Sequence, residues 1–254
     1  MNSFLMPLAH ALLPVAFALH ITAGALAAIC GIIAISVRKG GRIHRVAGRI
    51  FACSMLIMAA FAFWLALAMP DQRVNVFISI LASYLVATGW LAVYRGSAAT
   101  SMAEKVALAV AVALCAPFLL LSFELLFGVA PIFRSAVPFK GPVLIAIYAF
   151  TAILVSATLG DARVVFGQPA LGVRRVSRHL WRMSVGLTLA LGSGFTNGLA
   201  RLLPGPYHVP TAFFLPQLVP LVLLAYWMIR IRIGRVSPPL QRASIDTDAI
   251  QAVK

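Results

Sequence analysis

The chain has 254 residues, of which 62% are apolar and only 11% charged, whereas soluble domains usually carry about a quarter charged residues. A mean hydropathy of +0.98, with several apolar runs near the ~20 residues needed to cross a bilayer, excludes a water-soluble fold. The net charge of +15 would suggest nucleic acid in a soluble domain. Here the basic residues fall between apolar runs, so the expected partners are the lipid bilayer and anionic headgroups at one face, with no nucleic acid.

In chain order, spans are expected at Leu13–Val37, Ile50–Met69, Val74–Tyr94, Ala107–Phe127, Pro142–Gly160, Leu180–Leu202 and Thr211–Ile233. This is an all-α fold, a polytopic transmembrane bundle of seven spans occupying residues 1–233. Of the 21 Lys and Arg residues, 17 belong to alternate connections and the C-terminal end, and Arg73, Arg134, Lys140 and Arg201 are the other four. The positive-inside rule then puts the N-terminus outside and the C-terminus in the cytoplasm of a bacterial inner membrane. Ala25–Ala28 offers small residues after an apolar run, but no Lys or Arg precedes Arg38, so the first span reads as uncleaved. Residues 234–254 turn polar and contain Pro238 and Pro239, the pattern of a disordered cytoplasmic tail. Cys30, Cys53 and Cys115 lie singly inside apolar runs and read as small packing residues.

Two of the basic connections share a chemistry. Gly41–Arg49 contains Arg42, His44, Arg45 and Arg49, and Arg174–Met183 contains Arg178, His179 and Arg182. Each sets a histidine among arginines at the start of a helix, where free N–H groups and the positive end of the macrodipole favour a phosphate, a carboxylate or a lipid headgroup. The plainer reading of this basic cytoplasmic rim is topological.

These stretches, with Leu19-His20-Ile21 to Gly24 in the first span, resemble the uncharacterised bacterial membrane proteins grouped as domain of unknown function 2306 (DUF2306). The resemblance covers most of the chain in the same order. In that family's pattern a tryptophan directly precedes the methionine after the second histidine, whereas here Arg182 stands between Trp181 and Met183. The resemblance implies a multi-helix bacterial membrane protein and supplies no reaction, substrate or cofactor.

Helical rise converts each polar residue within a span to a depth. His20, Glu124, Tyr148, Asn197 and Gln217, from five different spans, all come out about 5–10 Å outward of the bilayer centre. An ionisable residue there must be paired or reach water, so Glu124, the only carboxylate within these spans, is expected to face the interior with His20 as its partner. The alternatives are a snorkelling Glu124 and a hydrogen-bonded packing role for His20. Gly186, Ala190, Gly194 and Gly198 recur every four residues along the sixth span, a stripe that lets a neighbouring backbone approach.

The leading expectation is therefore small-solute or proton-coupled transport, or sensing, through an outward-facing polar pocket, with no catalytic residues, no metal and no cofactor. The alternative is a membrane redox component binding haem b or quinone through histidines. His44 and His179 share a depth, roughly 18–22 Å inward, as bis-histidine ligation requires, although among arginines. Nothing in the sequence matches a nucleotide loop, a Ser-His-Asp set or a CxxC pair, so soluble-type enzymology has no support.

Overall fold

The structure is a computed structural model, described for residues 5–69, 72, 74–94, 101–128, 141–167, 171–199 and 210–233. Among these there is no strand. Seven α-helices run in the order α1 (Leu5–Ser36), α2 (Arg42–Ala68), α3 (Val74–Tyr94), α4 (Met102–Phe127), α5 (Pro142–Phe166), α6 (Gly172–Gly192) and α7 (Pro210–Arg232). Six of them are long and apolar enough to cross a membrane. The exception is α6, because Arg174, Arg175, Arg178 and Arg182 fill its first three turns. Residues 234–254 lie outside the described residues.

The chain divides into two compact units. Residues 1–95 and 171–254 form the first, with α1, α2, α3, α6 and α7; residues 96–170 form the second, with α4 and α5.

In the first unit α1 and α2 are antiparallel neighbours joined by residues 37–41. That connection is short enough to need a left-handed residue, and Gly40 supplies it with φ 74°. Ala27, Phe51, Ala52, Met55, Val86 and Leu187 meet in a core drawn from α1, α2, α3 and α6. Lipid is as apolar as these side chains, so the association rests on close packing rather than on escape from water. Glycine and alanine at the crossings are what permit it. A Cβ on Gly31 of α1 would stand 2.6 Å from Leu187 Cδ1, and one on Gly186 of α6 would stand 3.1 Å from Val86 Cγ2.

The expected small-residue stripe on α6 therefore packs over its first half. Gly186 and Ala190 are buried, but Gly194 and Gly198 are exposed, because the helix widens into a π-helical stretch, Ser193–Leu199. An inserted residue per turn rotates whatever follows off the original face.

In the second unit α4 packs on α5. Ser122 and Thr151 share a hydrogen bond of 2.7 Å, and the Thr151 hydroxyl also lies 3.2 Å from the Phe118 carbonyl and 2.8 Å from that of Ile147. Ser122 of this buried polar clasp lies about one turn after Pro117–Phe118, where the helix continues despite the missing donor of Pro117.

The expected span Pro142–Gly160 is too short. Glycine is tolerated in a helix with good neighbours, and α5 runs on to Phe166. Asp161 is consequently inside a helix that can span the membrane, on the buried face it shares with Leu154, Ala157 and Val164, and is 1% exposed. Glu124 is thus not the only carboxylate within a spanning helix; it is partly exposed, and Asp161 is the more deeply buried of the two.

A histidine pair at one end of the first unit

The five residues of the expected outer layer fall in different units. Glu124 and Tyr148 belong to the second, where both are half-buried, and His20, Asn197 and Gln217 to the first. His20 donates from Nδ1 to the Met58 carbonyl on α2 at 3.0 Å. Gln217 presses on α6, its Oε1 lying 2.9 Å from where a Cβ on Gly192 would be. Asn197 lies in the π-helical stretch, its side chain outside the described residues.

At the end where α1 stops and α2 starts, a different set converges. His44 is the third residue of α2 and His179 the eighth of α6, and their ring centroids are 6.4 Å apart with planes at 78°. His44 Nδ1 is 2.9 Å from the Ala34 carbonyl on α1, and His179 Nδ1 is 2.9 Å from the Gly89 carbonyl on α3. A carbonyl can only accept, so Nδ1 carries the proton in both rings, and in the neutral form each Nε2 keeps its lone pair. Four helices thereby fix two imidazoles in one tautomer. Holding the other ring nitrogen on a carbonyl is the usual way a histidine is oriented as a metal ligand.

Local sequence explains the placement. Gly89 has no side chain where α6 passes: a Cβ there would stand 3.1 Å from Arg182 Cβ. That close approach exposes its carbonyl to His179. Beside His44, Lys39 folds back onto the end of α1, donating to the carbonyls of Ala34 at 3.2 Å, Val37 at 3.3 Å and also Ile35. Helix ends leave such carbonyls unsatisfied, and a cation there complements the macrodipole. The same ammonium lies 4.4 Å over the ring of Trp227 on α7. Burial pushes Lys39 down from its ordinary 10.5 to about 8.

The expected basic rim separates into two kinds of residue. Arg42, Arg45 and Arg49 on α2 are exposed, as a headgroup-facing rim requires. Arg178 and Arg182 on α6 are buried, at 7% and 0% exposed. Arg182 donates to the Tyr84 hydroxyl on α3 at 3.3 Å, with its guanidinium 5.3 Å from the Tyr84 ring and 5.4 Å from that of Trp181. Arg175 reaches the Val93 carbonyl at the end of α3. Helical spacing carries the signal for this: Arg175, Arg178 and Arg182 recur at intervals of three and four, on the stripe that continues through Val185 and Gly186.

Among the described residues no three histidine, cysteine or acidic side chains gather as a metal-binding group. The histidine pair offers two Nε2 nitrogens, fewer donors than a closed protein-only metal site uses. No protein-family model, no curated protein and no solved structure matches this chain.

Proposed function

We propose that this chain is a bacterial inner-membrane redox component in which His44 and His179 would hold the iron of a haem b. The observation that carries the reading is the pair itself. The ring centroids are 6.4 Å apart, and both Nδ1 atoms are directed to carbonyls, which leaves Nε2 of each neutral ring as the remaining donor nitrogen. His44 and His179 would hold the iron, and the exposed Arg42, Arg45 and Arg49 on the same helix as His44 would suit the carboxylates of such a group. When bound, such a group supplies one-electron chemistry. The protein's part is to orient both rings, through the Ala34 carbonyl of α1 and the Gly89 carbonyl of α3. Quinone is the other occupant these groups suit, its carbonyl oxygens accepting from a protonated histidine.

Under this reading the helices form seven spans, α6 continuing through the π-helical stretch as the sixth, with the histidine pair at the cytoplasmic side. The proposed kinship with DUF2306 rests on the short motifs at His20, His44–Arg49 and His179–Met183 and names no reaction. Transport or sensing through an outer pocket is a second reading. Its support is that Gln217 lies against Gly192, directly before the stretch that bears Asn197. An absorption spectrum of the protein purified from membranes, repeated after addition of hemin, tests the redox reading. A Soret band that stays with the protein through size-exclusion chromatography is expected, and no retained band in either sample would contradict it.

A further inference from the structure

We infer that Lys39 is a positioning residue for the histidine pair and raises the reduction potential of the iron held there; this rests on the haem reading above. The Ala34 carbonyl accepts from both Lys39 Nζ, at 3.2 Å, and His44 Nδ1, at 2.9 Å. One oxygen therefore links the ammonium to the ring, and the two nitrogens can be no farther apart than those distances together allow. Two further carbonyls at the end of α1 and the face of Trp227 on α7 hold the ammonium in place. It lies outside the spans, in the 37–41 connection, with a fixed geometry that ordinary surface lysines lack.

The consequence is electrostatic. Reduction of a ferric to a ferrous centre adds one electron, and a fixed positive charge nearby, in partly desolvated surroundings, stabilises the reduced state. A cation hydrogen-bonded to the carbonyl that orients a ligand also draws on that carbonyl's electron density, making His44 a weaker donor to the iron. Both effects act in the same direction and raise the potential.

Redox titration of the hemin-loaded protein at pH 7 tests this, using wild type, Lys39→Met, Lys39→Gln and Lys39→Arg. Both uncharged variants should show a lower midpoint potential while keeping the wild-type Soret maximum, and Lys39→Arg should stay at the wild-type potential. Lys39→Gln keeps donors for the α1 carbonyls and serves if Lys39→Met does not fold. An unchanged potential in the uncharged variants, or a fall in Lys39→Arg equal to theirs, would overturn the inference. Failure of the wild type itself to retain haem would instead remove the histidine-pair reading, so the wild-type spectrum alone tells the two failures apart.

Discussion

Lys39 shows how a single residue can join topology to chemistry. In the sequence it counts as one more inner-face charge, yet its ammonium closes the end of α1 and lies over Trp227. Its lowered value, about 8 against 10.5, has a thermodynamic corollary. Between those values the unfolded chain binds the proton more tightly than the folded one, so this group makes stability rise with pH across the window. The penalty for charging it is present in full below about pH 8 and gone above about 10.5. Unfolding in detergent at pH 7.5 and pH 10 should therefore show a larger alkaline gain for wild type than for Lys39→Met; equal gains would mean that Lys39 titrates as an ordinary exposed lysine. None of this burial was legible beforehand, because a lysine in a short connection reads as solvated unless the carbonyls it folds back on are known. His44 and His179 were legible as a pair at one depth, since helical rise alone gives depth. Their contact was not, because depth says nothing about which faces meet. The layer of His20, Glu124, Tyr148, Asn197 and Gln217 came from the same arithmetic, and the chain distributes it over two units.

At the scale of elements, small residues decide how closely α1, α2, α3 and α6 approach. Gly31 is the tightest of these positions, since an added Cβ would stand 2.6 Å from Leu187 and 3.0 Å from Phe51. Gly31→Ala should destabilise the detergent-solubilised protein by about 1–3 kcal/mol, as overpacking of a filled core does. Gly48→Ala in α2 has nothing within 4 Å and should gain up to about 1 kcal/mol from helix propensity. Thermal unfolding of the two variants checks the contrast, and equal effects would mean that the α1–α6 crossing is not close-packed. The helices themselves were well marked, since apolar runs of spanning length announce them. Their ends were less so: α2 begins eight residues before Ile50, and α5 runs six beyond Gly160. Hydropathy reports what lipid accepts, whereas a helix continues for as long as its backbone bonds do. Asp161 was missed for this reason.

For the whole molecule, the distribution of basic residues makes a claim that helix geometry does not address. With an outward N-terminus and a cytoplasmic C-terminus, a periplasm-active reporter fused after Val37 or after Lys254 should be silent, and a cytoplasm-active one should report at both places. Activity of the periplasmic reporter at either site would reverse the assignment and move the histidine pair to the outer face. Four arginines in the first three turns of α6 would oppose its crossing of a bilayer if they faced lipid. The crossing becomes intelligible if Arg178 and Arg182 are carried on a face buried in protein, as their exposure of 7% and 0% indicates.

The most direct test of the central claim is the spectrum of the hemin-loaded wild type beside those of His44→Ala and His179→Ala. The wild type should bind one haem per chain with a six-coordinate, low-spin spectrum, and each alanine variant should lose the haem or turn high-spin. A low-spin spectrum that survives unchanged in both variants would show that the iron is held elsewhere and that the histidine pair is only a packing contact between α2 and α6.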